Sequence, residues 1–499
     1  MTLSKAYITG RKIILDILPI KENYSYAVIS YDPIVRQARY EVIEPHLVEE
    51  EKAALLRIKS HLEDTISTTM SDFGTLEDAG TFLQNTMAEA NGLYKLGLSD
   101  QSKDKILYFL VRDQLHFGKM DVMMKDPHIE DISCNGPDIP LYIWHRTYES
   151  IPSNVQFNND KELDSYIIRL AYKAKRMISV ANPLLDASLP DGSRIQLTYS
   201  KYVTRQGSTY TIRKFKADPL TIVDLIINST ISAEIAALLW YVVENKSSVF
   251  VCGGVASGKT TMLNCLSSFI APDSKIVTIE DTPEVQLYHK NWIRAVTRPS
   301  TGSSKEITLF DLLKASMRQR PDYIIVGEIR GEEAYTLFQA MSTGHLGLAT
   351  LHAENVTSAL RRLEGEPMRI PRMMISGLNM VIVMARREID DMPIRKIIEC
   401  AEVKGITPEG EIDVDMLFGW DAMNDDWPLL NESYYLKKAA KMRGITVEEA
   451  KHDIKMRAEI LNFMAENNKR SFSEVTQVIR NYVNVPETIN ESLSVQHTI

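Results

Sequence analysis

The segment GGVASGKTT has the residue types and the spacing of a loop that binds phosphate groups. It matches G-x-x-x-x-G-K-[ST], follows the β-forming run VFVC and opens a predicted helix, which are the two contexts that such a loop requires. Glycines let backbone N–H groups converge on phosphate oxygens, and a helix N-terminus adds favourable partial charge. In this arrangement Lys259 reaches the β- and γ-phosphates, and the hydroxyl of Thr260 ligates Mg²⁺. The residues predicted to bind the nucleotide are Gly253, Gly254, Ala256, Ser257, Gly258, Lys259, Thr260 and Thr261.

Two carboxylates follow predicted strands downstream of this loop. A run of β-formers, residues 323–326, ends in Gly327 and Glu328. An acid at that end of a neighbouring strand can reach the Mg²⁺ shell, so Glu328 is predicted to be a Walker B acid that acts on the metal through water. Glu280 and Asp281 end another short strand, in KIVTIED. A carboxylate there can polarise the attacking water, but a solvated strand end has the same pattern, and composition does not separate the two.

Two histidines and three arginines are further candidates. His345 and His352 lie in the loop–strand–loop segment STGHLGLATLHAEN, where a contact with a γ-phosphate or a neighbouring element competes with a structural role. They lack the partners that a zinc site needs. Arg194, Arg205 and Arg213 are spaced along predicted strands upstream of the loop. Such arginines are usually solvated, and the alternative is an arginine supplied in trans to a nucleotide site.

The composition limits the class of protein. The chain has 499 residues, of which 44% are hydrophobic and 25% charged, values typical of globular proteins with about two to four domains. No run approaches the ~18 apolar residues of a membrane span, and the first residues lack a signal peptide, so a cytoplasmic location is expected. The net charge of −9 argues against a general nucleic-acid binder. The four cysteines form no CxxC pair, so no zinc site is signalled.

Five segments are predicted to position these residues. Residues 1–125 contain short strands and then helices, and residues 126–215 alternate as an α+β module. The stretch KADPLT, residues 216–221, is predicted to be a linker. Residues 222–415 alternate helices with apolar strands that end in glycine or an acid, which indicates a mostly parallel α/β sheet with its site at the strand ends. Residues 416–499 are polar and helical.

The order of these motifs resembles that of a known family. The phosphate loop, IEDTPE, VGEIRG and TGHLGLATLHAEN are similar to the Walker A, Asp, Walker B and His boxes of the secretion ATPase superfamily, which powers type II secretion, type IV pili and the archaellum of archaea. The segments DISCNGPDIPLYIWHR, LPDGSRIQ and RLEGEPMRIPR extend the likeness. The two ends of the chain resemble the archaeal branch. Bacterial members often carry a four-cysteine metal module near the C-terminus, and here only Cys400 lies beyond Cys265, so that module is absent.

The resemblance implies a RecA-like P-loop ATPase domain that follows a PAS-like N-terminal module and precedes C-terminal helices, in a ring-shaped homo-hexamer. It implies that Glu280 activates water and that Glu328 orients Mg²⁺. It also places His345 and His352 near the γ-phosphate. Arginines of the N-terminal module are implied to complete the site, namely Arg194, Arg213 and, as a third, Arg205.

The expected function is that of a motor. ATP hydrolysis with Mg²⁺ would drive the assembly of pilus-like or archaellum filaments, or secretion, through an integral membrane platform protein, from a ring peripheral to the inner face of the membrane. The linker would be the hinge between the modules. No direct contact with nucleic acid is expected. Two alternatives stay open: a conjugation or DNA-uptake ATPase, and a nucleotide-dependent scaffold without significant turnover.

Overall fold

The chain divides into two compact units, Met1–Lys216 and Ala217–Ile499. Of the predicted linker, residues 216–218 lie outside the part of the chain that the structure describes. This computed structural model describes residues 7–9, 12–65, 75–215, 219–298, 306–389 and 392–484.

The first unit contains a ten-stranded sheet. Its strands are β1 (Tyr7–Thr9), β2 (Lys12–Lys21), β3 (Ser25–Asp32), β4 (Gln37–Ile43), β5 (Ile129–Cys134), β6 (Pro140–His145), β7 (Glu149–Gln156), β8 (Leu184–Ser188), β9 (Arg194–Thr198) and β10 (Thr209–Arg213). The order is β1-β2-β3-β4-β7-β6-β5-β10-β9-β8. Neighbours run antiparallel except β4 and β7, which are joined by one parallel pair, Tyr40 with Ser153. The sheet therefore joins the front hairpins to the α+β module.

Within the described part of the first unit, five α-helices accompany this sheet, and side chains cap the starts of α2, α3 and α5. They are α1 (Glu49–Thr65), α2 (Leu76–Leu93), α3 (Asp100–Gln114), α4 (Asp121–Lys125) and α5 (Asp160–Lys173). Thr75, Ser99 and Asn159 accept hydrogen bonds from backbone N–H groups at the starts of α2, α3 and α5. Helices α1 to α3 bury a small apolar cluster of their own, whereas α5 packs against the sheet.

The second unit contains an eight-stranded sheet. Its strands are β11 (Val249–Gly253), β12 (Ile276–Glu280), β13 (Trp292–Val296), β14 (Tyr323–Ile329), β15 (Leu346–Leu351), β16 (Met380–Ile389), β17 (Met392–Ile406) and β18 (Ile412–Gly419). The order is β13-β12-β14-β15-β11-β16-β17-β18. Strands β11 to β16 run parallel, and β17 and β18 add two antiparallel strands. The expected fold class, α/β with a mostly parallel sheet, is confirmed.

Helices cover both faces of this sheet. They are α6 (Ile222–Ile227), α7 (Ala233–Glu244), α8 (Lys259–Ser267), α9 (Leu309–Ser316), α10 (Glu333–Ser342), α11 (Val356–Glu364), α12 (Arg372–Ile375), α13 (Tyr434–Arg443), α14 (Val447–Glu466) and α15 (Phe472–Asn484). Helices α6 to α8 share one apolar core with α13 to α15. Helices α9 to α12 share the core of the opposite face. Burial on both faces explains why the central strands read as continuous apolar runs.

The C-terminal helices pack onto the same core as the sheet. Buried residues of α14 and α15 belong to the cluster that contains α7 and α8. Arg457 is buried in α14 and pairs with Glu244 of α7, with 2.5 Å between Nη1 and Oε2. The expected boundary at 415/416 falls inside β18, so the sheet continues beyond it. No helix among the described residues is both long and apolar enough to cross a membrane.

Candidate functional site

The predicted site residues of the second unit meet at one edge of its sheet. Gly253 is the last residue of β11, Glu280 is the last of β12, and Glu328 lies next to the last of β14. These strands are parallel and lie close together in the order β12-β14-β15-β11. Ligands of open α/β sheets bind at the carboxyl ends of the strands. The fold therefore gathers the loop and both carboxylates on the edge where such sites lie.

Glycine is required at both glycine positions of the G-x-x-x-x-G motif, for different reasons. Gly253 has a φ of 154°, and a Cβ there would lie 2.4 Å from the carbonyl oxygen of Met384. Gly258 has a φ of 94° and is the residue that precedes the first turn of α8. Thr260 and Thr261 lie in that turn. The loop therefore enters a helix N-terminus, whose free N–H groups favour an anion.

The ammonium group of Lys259 folds back over the loop. Its Nζ donates a hydrogen bond of 2.7 Å to the carbonyl oxygen of Gly254. Partial burial lowers the pKa of Lys259, while the charge of Glu328 opposes that shift. The Ser257 hydroxyl donates to the same carbonyl oxygen at 3.0 Å. The lysine that the motif assigns to phosphate is thus held at the loop, and the charge of Glu328 acts on it.

Glu280 is a buried carboxyl group with one unpaired oxygen. Its side chain is 1% exposed, and Oε1 accepts hydrogen bonds from the backbone N–H groups of Glu284 and Val285 at 2.8 and 2.9 Å. Among the described residues Oε2 has no partner. Burial raises the pKa of Glu280 to about 7, against the lowering effect of the two backbone hydrogen bonds. A carboxyl group with a pKa near neutrality is suited to accept a proton from water.

Glu328 lies in a different electrostatic environment. The Nη2 atom of Arg330 is 2.6 Å from its Oε2. Burial alone would raise the pKa of Glu328, but the hydrogen bond and the charge of Arg330, and the charges of Lys259 and His352, lower it. A Cβ at Gly327 would lie 3.3 Å from Cγ of Glu280, so the residue before Glu328 packs against Glu280 on the adjacent strand. Glu328 is therefore an anion on the strand next to the one that ends in Glu280, whose carboxyl group has a pKa near neutrality.

The structure separates the two histidines. His352 directly follows β15, at the same sheet edge as the loop, and its charge acts on Glu328. His345 directly precedes β15, so the six-residue strand lies between them, a distance of roughly 20 Å at ~3.3 Å per residue. Its Nδ1 lies 3.1 Å from the carbonyl oxygen of Ala340. β15 holds the two histidines at opposite ends, so only His352 lies at the sheet edge of the loop, and a place for both near a γ-phosphate stays a prediction.

The three arginines of the first unit do not form one group. Arg194 begins β9 and Arg213 ends β10, and the two are directly paired across the antiparallel strands. Side chains of such a pair project from the same face, about 5 Å apart at Cβ. Arg205 lies in the connection at the other end of this hairpin. On its other side, Arg213 pairs with Asp131 of β5. Burial raises the pKa of Asp131, and the charge of Arg213 only partly opposes this rise.

Two arginines that contact the site residues carry no sequence signal that singles them out. Arg330 donates a hydrogen bond to Glu328. It lies inside the VGEIRG motif, but nothing in its spacing from other residues marks it as a site residue. Arg395 of β17 contacts the phosphate loop from a strand more than a hundred residues downstream. Its position depends on β16 lying next to β11, a neighbour relation that local patterns do not encode.

Comparisons with known proteins agree with the motif order. A model of the family "Type II/IV secretion system protein" matches residues 119–492. An uncharacterized protein of Methanocaldococcus jannaschii is 38% identical over 390 residues, which are 77% of this chain and 71% of that protein. A probable conjugal transfer protein TrbB of Sinorhizobium fredii is 31% identical over 248 residues, 49% of this chain and 73% of that protein.

Solved structures match this chain only at low TM-scores. The VirB11 ATPase of the Brucella suis type IV secretion system is 25% identical and covers 56% of this chain and 91% of its own, with a TM-score of 0.29. The pilus retraction motor PilT is 20% identical and covers 64% of this chain and 88% of its own, with a TM-score of 0.40. On the family match over most of its length, the chain belongs to the type II/IV secretion system protein family.

Proposed function

We propose that the chain hydrolyses ATP to ADP and phosphate and that the second unit carries this activity. The observation that supports the proposal most strongly is that the phosphate loop, Glu280 and Glu328 lie on neighbouring strand ends of one sheet. Loop residues 253–261 would bind the triphosphate through their N–H groups. Lys259 would neutralise the β- and γ-phosphates.

The donor set fits Mg²⁺. The Thr260 hydroxyl and the Glu328 carboxylate offer oxygen ligands, which a hard cation prefers, and the pKa of Glu328 is lowered so that it is an anion. Thr260 would hold the metal directly and Glu328 through water. Mg²⁺, when bound, supplies charge that stabilises the leaving ADP oxygen.

Glu280 is the proposed base. Its unpaired Oε2 would take a proton from the attacking water while the water oxygen bonds to the γ-phosphorus and the bond to the β–γ bridging oxygen breaks. His352 would lie near the γ-phosphate, and His345, at the other end of β15, would contact a γ-phosphate or a neighbouring element. We include Arg194 and Arg213 as cations that the N-terminal unit supplies to a nucleotide, in the same chain or in trans.

For the machine, we propose a cytoplasmic homo-hexameric ring, peripheral to the membrane, that acts on an integral membrane platform protein. The support is membership of the type II/IV secretion family. Deleting the gene and imaging the cell surface would test filament assembly: intact filaments and normal swimming would contradict it.

A second candidate, an ATPase of DNA transfer, is favoured by one observation, the 31% identity to the probable conjugal transfer protein TrbB. It predicts ATP turnover that rises with added DNA. The net charge of −9 counts against direct contact with DNA. Turnover that is unchanged by single- or double-stranded DNA would leave the filament or secretion motor as the better account.

The activity itself is tested by phosphate release from the purified full-length chain. We expect Mg²⁺-dependent turnover in the wild type and its loss in Lys259→Ala, because an alanine cannot neutralise the phosphates. Wild-type turnover equal to that of buffer, with and without lipid vesicles, would favour a nucleotide-dependent scaffold instead.

A further inference from the structure

The β16–β17 hairpin lies along one side of the phosphate loop. Gly253, the last residue of β11, pairs with Met384 of β16. Met384 in turn pairs with Ile397 of β17, and Arg386 pairs with Arg395. The Met384 carbonyl oxygen approaches the Gly253 backbone so closely that a Cβ would collide with it. The hairpin is therefore positioned to act on the loop.

Arg395 makes that contact with its side chain. Its Nε donates a hydrogen bond of 3.0 Å to the carbonyl oxygen of Ala256. Its Cδ lies 3.5 Å from the position of a Cβ on Gly258, the residue that precedes α8. Ala256 has a φ of 57°, a conformation that side chains other than glycine rarely adopt. The hydrogen bond from Arg395 is thus made at Ala256, a residue of the loop that has an unfavourable positive φ.

The direction of this hydrogen bond determines the direction of the next N–H group. In a trans peptide the C=O and the following N–H point in opposite directions. Holding the Ala256 carbonyl toward Arg395 therefore directs the Ser257 N–H away from Arg395. A peptide that rotated freely would at times turn its carbonyl dipole toward a bound anion, which would repel it.

We propose that Arg395 is a positioning residue for nucleotide binding: it fixes the Ala256–Ser257 peptide in the orientation in which the loop accepts a phosphate group. The inference rests on the proposed nucleotide site and adds a residue from outside the motif to it. Arg395 acts through the loop backbone, so its hydrogen bond is what matters, and its charge is secondary.

Two nearly isosteric variants separate the hydrogen bond from the charge. In Arg395→Gln the amide nitrogen occupies the chain position of Nε, which keeps a donor and removes the charge. In Arg395→Met the stem is kept and the donor is lost. Arg387→Met is the matched control, because Arg387 pairs with Ile394 and projects from the opposite face of the hairpin.

The experiment measures the dissociation constant of a fluorescent ADP on each full-length protein, with KM and kcat for ATP and the thermal midpoint. A lost hydrogen bond predicts about tenfold weaker ADP binding and a similarly raised KM in Arg395→Met, with kcat within about twofold. Arg395→Gln and Arg387→Met should bind within about threefold of the wild type, and all thermal midpoints should agree.

Three results would overturn the inference. Arg395→Met that binds like the wild type would show that the contact does no positioning. Arg395→Gln as weak as Arg395→Met would assign the effect to charge. Weak binding that accompanies a lowered thermal midpoint would show a general structural role. If the wild type itself bound no ADP, the proposed function would fail as well. If the wild type bound ADP and only the variants behaved otherwise than expected, the role of Arg395 alone would fail.

Discussion

The ends of β12 and β14 each carry a glutamate, and the two environments shift the pKa values of these glutamates in opposite directions. Glu280 is buried, has one oxygen without a partner among the described residues, and has its pKa raised to about 7 by burial. Glu328 is only partly buried, and Arg330 helps to lower its pKa despite the opposing effect of burial. Neighbouring carboxyl groups whose environments move their pKa values apart are typical of a site in which one handles a proton and the other a charge.

The difference comes from a few neighbouring residues. At the end of β12 the chain turns back so that the N–H groups of Glu284 and Val285 reach one oxygen of Glu280, while the other oxygen has no partner among the described residues. At the end of β14, Arg330 follows Glu328 by two positions and donates a hydrogen bond to its carboxylate. The comparison therefore favours different roles for Glu280 and Glu328. The pattern of an apolar strand that ends in an acid does not distinguish these roles.

The largest effect is expected for Glu280→Gln. The glutamine keeps the acceptor for the Glu284 and Val285 N–H groups but cannot take a proton, so turnover should fall by roughly 10² to 10⁴ with nucleotide affinity unchanged. Steady-state phosphate release and ADP titration measure the two quantities. Glu284→Gln is the control and should stay within about threefold. Turnover of Glu280→Gln within tenfold of the wild type would break the comparison.

A smaller and different loss is expected for Glu328→Gln. Weaker metal positioning should lower turnover by roughly a hundredfold while nucleotide still binds, and more Mg²⁺ should be needed to reach half of the residual rate. A Mg²⁺ titration of turnover in this variant, in Glu280→Gln and in the exposed control Glu332→Gln checks the distinction. Near wild-type hydrolysis in Glu328→Gln, or an equal shift of the Mg²⁺ requirement in Glu280→Gln, would contradict the assigned roles.

The smallest effect concerns stability. Because the pKa of Glu280 is raised in the folded chain from its ordinary 4.5 to about 7, the protonated carboxyl stabilises the fold below pH 4.5, and that stability is lost as the pH rises through 7. The loss amounts to at most about 3 kcal/mol at pH 8. Calorimetry should show the thermal midpoint of Glu280→Gln gaining on the wild type as the pH rises from 5.5 to 8.5. A constant difference over that range would count against the raised pKa.

The sequence predicted the loop and both carboxylates because each follows a short apolar run that became a parallel strand. Glu280 and Glu328 could be placed at one sheet edge since parallel strands end together. The histidines could not be placed by the same argument. The loop–strand–loop pattern of STGHLGLATLHAEN does not give the length of the strand: β15 spans the whole interval, so His345 directly precedes it and His352 directly follows it.

The contacts made across the sheet were beyond the reach of local patterns. Strands β16 to β18 add a hairpin and an antiparallel edge where the sequence indicated a mostly parallel core and then helices. Arg395 reaches the loop only because β16 pairs with β11. Likewise, the unpaired oxygen of Glu280 depends on how the following turn closes, which the strand pattern does not encode.

The most direct test of the account is the pH dependence of kcat/KM for ATP in the wild type at saturating Mg²⁺. Since this ratio reports groups of the free enzyme, it should fall about tenfold per pH unit below an inflection near 7 and level off above it, as the Glu280 carboxyl loses its proton. The residual activity of Glu280→Gln should lack that inflection. A flat wild-type profile between pH 6 and 8, or the same inflection in Glu280→Gln, would contradict the assignment of Glu280 as the base.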